Sequence, residues 1–74
     1  MVINDEMIRA AATRAIDQTG IGGALVSVRR LPDRASEWWI DFTEAERVTV
    51  RYDAGDTIET LAEKIVRELK QQRP

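Results

Sequence analysis

Apolar and polar residues alternate over 36–42, the stretch that contains both tryptophans and the only phenylalanine of the chain. A period of two is typical of a strand with one buried face, so the pattern predicts a central strand. The side chains expected to face the core are Trp38, Ile40 and Phe42. Those expected to face away are Glu37, Trp39 and Asp41. One tryptophan is therefore expected on the polar face of the sheet, where so large an apolar side chain is unusual.

The same alternation predicts two further strands, over 24–31 and 47–52. In the first, we expect Ala24, Val26 and Val28 to face inward and Ser27 and Arg29 outward. In the second, we expect Val48, Val50 and Tyr52 inward and Arg47, Thr49 and Arg51 outward. The connections at 31–36, which includes Pro32, and around 44–46 are short and polar. Both strand pairs are therefore predicted to be antiparallel hairpins.

Helical periodicity flanks the three strands. Apolar residues at 8, 11, 12, 15 and 16 predict a helix over 5–18 that ends at Gly20. Asn4 is its expected N-cap, and Ile3 and Ile8 have the spacing of a hydrophobic staple. Apolar residues at 58, 61, 62, 65, 66 and 69 predict the last helix. Asp56 is expected to cap it and Glu59 to complete a capping box, with Thr57 as the alternative cap.

The predicted order is α-β-β-β-α in one α+β domain that spans residues 1–74. Each element has one apolar side, so we expect both helices on one face of a three-stranded antiparallel meander. This order resembles the double-stranded-RNA-binding fold over nearly the whole chain. That family binds RNA through its first helix, the loop between its first two strands and a lysine-rich start to its last helix. Arg29, Arg30 and Arg34 lie near the loop.

The start of the last helix departs from that family, because it carries Asp53, Asp56 and Glu59 where phosphate would have to lie. Phosphate contacts dominate the binding of duplex RNA, so we do not expect that function and carry no site residues over.

Composition argues against an enzyme. The chain has no histidine, the commonest general base and metal ligand, and no cysteine. The lysines Lys64 and Lys70 are expected on exposed sides, without the burial that would activate them. Asp53 and Asp56 are better explained by helix capping than by a metal site. We expect no catalytic residue, no cofactor and no metal.

No signal peptide is evident and no apolar run reaches the roughly 20 residues of a membrane span, so a soluble, cytoplasmic protein is expected. The net charge is −2, and the charged surface is mixed. A strongly basic, polyanion-binding surface is therefore not indicated.

The open face of the sheet is the candidate site. If Val28 pairs with Ile40 and Ile40 with Val50, a row forms across the sheet from Arg29 through Trp39 to Arg51, and its guanidinium groups can lie over the indole. Three interpretations of this row are open: its side chains only cover one another, they form a protein-binding patch, or they form a platform for single-stranded nucleic acid. The candidate partner-binding residues are Arg29, Trp39, Arg47 and Arg51.

The expected function is a non-enzymatic protein-interaction module, such as a small accessory or inhibitory protein of bacterial or phage type. The alternative is a nucleic-acid-binding module that uses the open face around Trp39. Self-association through that face or through a sheet edge is a third interpretation.

Overall fold

The structure is a computed structural model that describes residues 5–33 and 36–72. The elements follow in the order α1 Asp5–Thr19, β1 Leu25–Arg30, β2 Glu37–Phe42, β3 Val48–Arg51 and α2 Ile58–Gln72. β2 lies in the centre of the sheet and pairs antiparallel with both of its neighbours. The predicted α+β fold is confirmed. The expected cap Asn4 and staple residue Ile3 lie outside the described residues.

Both helices cover the same face of the sheet. They pack against each other, α1 also against β1 and α2 also against β3. The sheet contributes alternate residues to a single core, namely Val28, Trp38, Ile40, Phe42, Val48 and Val50. The helices contribute Ile8, Ala11, Ala12, Ala15, Leu61, Ala62, Ile65 and Leu69. Each large side chain buried there stabilises the fold by about 1.5–3 kcal/mol. No described residue forms a layer over the other face of the sheet.

A β-bulge near the start of β1 overturns part of the predicted facing pattern. Leu25 pairs with Phe42 and Ser27 pairs with Asp41, so one extra residue, Val26, stands in β1. Val26 is 57% exposed, whereas Leu25 packs against the core. The inward orientation expected for Ala24 and Val26 is wrong, because a one-residue insertion exchanges the two faces of the strand before it.

The C-terminal end of α1 matches the prediction, whereas the N-terminal end of α2 corrects it. Gly20 has a φ of 68° and donates its N–H to the Ile16 carbonyl at 2.7 Å, which closes α1 in the expected left-handed cap. At α2, the N–H of Thr60 donates to the hydroxyl of Thr57 at 3.3 Å. The N–H of Thr57 in turn donates to the hydroxyl of Thr60 at 2.8 Å. Thr57 and Thr60 therefore form the capping box expected of Asp56 and Glu59.

A candidate binding surface on the open sheet face

The uncovered face of the sheet, called the open face below, carries its side chains in three rows across the strands. The first row is Ser27, Asp41 and Arg47. The second is Arg29, Trp39 and Thr49. The third is Leu31, Glu37 and Arg51. Strand pairing and the hydrogen bond from the Leu31 N–H to the Glu37 carbonyl fix these rows.

The register of β2 with β3 corrects the predicted site. Val28 pairs with Ile40 as expected, but Ile40 pairs with Val48 instead of Val50. Arg51 therefore lies opposite Glu37, and Thr49 takes the expected place of Arg51 beside Trp39. The connection between the strands sets the register, and a two-residue shift leaves every side chain on its predicted face. The side chains therefore lie on the face that was expected, but the central row contains Thr49 instead of Arg51.

Arg47 covers the indole of Trp39 in place of Arg51. Its guanidinium carbon lies 4.3 Å from the ring centroid of Trp39, a cation–π contact. Its Nε donates to Oδ1 of Asp41 at 2.7 Å. The carboxylate thus fixes the guanidinium over the ring, and Trp39 is left half-buried on a face without helices.

Asp41 is held from both sides of the strand. Its Oδ2 accepts a hydrogen bond from the hydroxyl of Ser27 at 3.1 Å, while Oδ1 is bound by Arg47. The hydrogen bond from Arg47 is the main cause that lowers the pKa of Asp41. Partial burial opposes it, and the Ser27 hydroxyl and the charges of Arg47 and Arg29 add to the lowering. Asp41 consequently stays ionised, and keeps Arg47 in position, throughout the neutral pH range.

Arg29 stands on the other side of Trp39 and is exposed. Within residues 5–33 and 36–72, its guanidinium makes no hydrogen bond and no ion pair, and it acts on Asp41 through charge alone. Its five N–H donors therefore have no acceptor among these residues.

A shallow groove lies next to Trp39 on the open face. Its volume is about 500 Å³, and its lining consists of Leu31, Pro32, Asp33, Glu37, Trp39 and Thr49. Leu31, Pro32 and the indole give this groove an apolar part, while two carboxylates stand among its lining residues. The groove therefore suits a small apolar side chain better than a fully ionic ligand.

Lys64 forms a second polar cluster, where β3 ends and α2 begins. Its Nζ donates to Oδ2 of Asp56 at 2.6 Å, to Oδ2 of Asp53 at 3.0 Å and to the Arg51 carbonyl at 2.9 Å. Lys64, which was expected on an exposed side, is half-buried, and 31% of its side chain is exposed.

Lys64 and the aspartates of that cluster stabilise each other in their charged forms. Burial opposes the charged form of Lys64, but its hydrogen bonds to Asp56 and Asp53 outweigh this, and the pKa of Lys64 is raised. Burial likewise opposes ionisation of Asp56, but the bonds from Lys64, the Asp53 N–H and Thr60 lower the pKa of Asp56. A lysine held in the charged form is not a nucleophile, and the cluster ties the turn before α2 to the sheet.

The glycine-rich loop 20–23 lies beside the connection between β2 and β3. The carbonyl of Gly22 accepts the N–H of Glu44 at 2.9 Å, and the hydroxyl of Thr43 donates to the same carbonyl at 3.3 Å. A cleft of about 510 Å³ beside the loop is lined by two carboxylates, Glu44 and Glu46, which disfavours an anionic ligand.

Neither a metal site nor a membrane helix occurs in the part of the chain that the structure describes. No group of three or more acidic side chains there is placed to hold a metal ion. No helix there has the length and apolar character needed to cross a membrane. No protein-family model matches the chain, and no curated protein or solved structure is significantly similar to it.

Proposed function

We propose that the chain is a protein-interaction module that binds its partner through the open face around Trp39. The observation that carries the proposal is the arrangement of Trp39 and Arg47, in which Asp41 and Ser27 fix the guanidinium over the ring. Tryptophan and arginine are enriched among the residues that contribute most to protein interfaces. A side chain that is already fixed loses less entropy when a partner binds.

The neighbours of Trp39 support a protein partner. Exposed Arg29 supplies hydrogen-bond donors, and the groove beside the ring can take an apolar side chain. Such a centre with a polar rim is the usual composition of an interface. A small accessory or inhibitory protein that acts by binding would need no more than this surface.

The alternative, single-stranded nucleic acid on the same face, has weaker support. A base would stack on the face of Trp39, yet Arg47 already lies over one side of that ring. The carboxylates of Asp33 and Glu37 line the groove on the same face and would repel phosphates.

Site-specific photo-crosslinking tests the proposal. A photoreactive residue is placed at Thr49, which is exposed beside Trp39, or at Arg67, an exposed control position on α2. In extracts of the source cells we expect a discrete protein adduct from position 49 that disappears when Trp39→Ala is added. Equal adducts from both positions, or an adduct that survives Trp39→Ala, would contradict the proposal. Sedimentation of the purified chain across concentrations shows whether the partner is a second copy.

A further inference from the structure

Some charged side chains of the open face have partners within the described chain, and one does not. Both oxygens of Asp41 accept hydrogen bonds, from Arg47 and from Ser27. Glu37 also has an interaction partner. The guanidinium of Arg29, in contrast, makes no hydrogen bond or ion pair to any described residue, and Arg29 is the cross-strand partner of Trp39. Among the residues that the structure describes, Arg29 is thus the cation of the face that has no partner.

The face as a whole has no excess of positive charge. It carries three arginines, Arg29, Arg47 and Arg51, against the carboxylates of Asp41 and Glu37. Asp33, which lines the groove on the same face, is a third carboxylate, so the formal charges of the face balance. Two of the arginines are already paired, Arg47 with Asp41 and Arg51 with Asp53, whose Oδ1 lies 3.4 Å from the Arg51 Nε. The carboxylate of a partner complements the remaining arginine, Arg29.

We propose that the partner segment is acidic and carries an apolar side chain between its carboxylates. The apolar side chain enters the groove beside Trp39, and an adjacent carboxylate pairs with Arg29. A guanidinium can bind a carboxylate through two parallel hydrogen bonds, which gives the contact a defined geometry. This inference rests on the proposed function and names the chemistry of the partner.

A peptide suits the face better than a nucleic acid because of the carboxylate of Asp33, which is exposed among the groove-lining residues. A polynucleotide carries one phosphate for each residue and would bring charge against this carboxylate wherever a base reached Trp39. A peptide can place a neutral residue at the groove and confine its carboxylates to the side of Arg29.

Selection from a random peptide library against the full chain tests the inference. Wild type, Trp39→Ala, Arg29→Glu and the control Arg67→Glu are immobilised in parallel after circular dichroism has shown that each is folded. We expect wild type and Arg67→Glu to enrich peptides in which aspartate or glutamate flanks an aliphatic or aromatic residue. Trp39→Ala should lose the enrichment, and Arg29→Glu should lose the preference for acidic residues.

The strongest selected peptide is then synthesised for calorimetry, together with a version in which lysine replaces its acidic residues. We expect the Arg29→Glu variant to bind the acidic peptide at least tenfold more weakly than wild type does. The same variant should bind the lysine version more tightly than wild type does. The acidic peptide should also bind wild type more weakly at higher salt, since charge attraction is screened.

Each other outcome is decisive. Selected peptides that depend on Trp39 but are neutral or basic would refute the acidic partner while leaving the proposed function intact. Enrichment that ignores Trp39 would count against both. An absence of any enrichment would refute a short acidic segment as the ligand, and the crosslink from position 49 would then decide the proposed function separately. Tight binding of a fluorescent 12-residue oligothymidylate, abolished by Trp39→Ala, would overturn the inference in favour of nucleic acid.

Discussion

Replacement of Lys64 by methionine tests how the sheet and α2 are joined. The substitution keeps most of the aliphatic stem and removes three donated hydrogen bonds, to Asp56, Asp53 and the Arg51 carbonyl. Asp56 is left with the hydrogen bonds from the Asp53 N–H and the Thr60 hydroxyl, but without a cation.

The size of the effect follows from the exposure of the two side chains. The Asp56 side chain is 10% exposed and that of Lys64 is 31% exposed. A hydrogen bond to a charged group contributes about 1.5–3 kcal/mol, and a fully exposed ion pair about 0.2–1 kcal/mol. The pair lies between these limits, so we expect a coupling free energy of about 1–2 kcal/mol. That is a large share of the roughly 4–11 kcal/mol expected for a chain of this size.

The assay is a double-mutant cycle of Lys64→Met, Asp56→Asn and the double variant, by urea unfolding followed by tryptophan fluorescence at pH 7. Lys70→Met, at an exposed position in the last turn of α2, is the matched control and should cost less than about 1 kcal/mol. A coupling below about 0.5 kcal/mol, or a Lys64→Met loss equal to the control, would refute the structural role of the cluster.

The pH dependence of the same free energy is a second check. Because folding lowers the pKa of Asp56, its contribution is present above the unfolded-state pKa of about 3.9 and is lost as the pH falls through the folded value. Because folding raises the pKa of Lys64, its contribution is present below about pH 10.4 and is lost as the pH rises through the folded value. The Lys64→Met deficit should therefore be constant near neutral pH and shrink at both extremes.

Four further substitutions test the two tryptophans, the core and the cap. Trp38→Ala should cost about 3–5 kcal/mol because Trp38 is 2% exposed. Trp39→Ala should cost only about 1–2 kcal/mol, since it loses packing and the contact with Arg47. Acrylamide should quench Trp39 more than Trp38 in single-tryptophan variants, and the reverse order would show that the faces are misassigned. Ile65→Ala should destabilise by about 2–5 kcal/mol in urea, against little change for exposed Val26→Ala, and equal losses would refute the packing of α2. Thr57→Ala should cost about 0.5–2 kcal/mol in thermal unfolding, and no loss would place the cap elsewhere.

Apolar periodicity was sufficient to predict the element order and the faces of β2, β3 and α2. It could not predict the register of β2 with β3, because Val48 and Val50 both face inward and a two-residue shift leaves the pattern unchanged. Nor could it predict the bulge in β1, since Leu25 and Val26 are both apolar and either could face the core. Arg47 was among the candidate site residues, but its contact with Trp39 depends on that register.

The cluster around Lys64 and the capping box depend on tertiary contacts that a local pattern does not contain. Asp56 and Thr57 are both good N-cap residues, and only one can occupy the position. The carboxylate of Asp56 is engaged by Lys64, eight residues along the chain, and by the hydroxyl of Thr60. Thr57 is thus the residue that caps α2.

Substitutions of two residues on the open face separate a role in binding from a role in folding. Arg29 is exposed and unbonded within the described chain, so Arg29→Gln should change the free energy of unfolding by no more than about 0.5 kcal/mol. Asp41→Asn, in contrast, removes the charge that fixes Arg47 over Trp39 and should reduce stability as well as binding. Urea unfolding and peptide calorimetry on the same two variants make the comparison. If Arg29→Gln leaves both quantities unchanged, Arg29 takes no part in binding and the inference of an acidic partner is refuted. If it weakens binding alone, the surface is functional, because a residue without a role in folding has then acquired one in recognition.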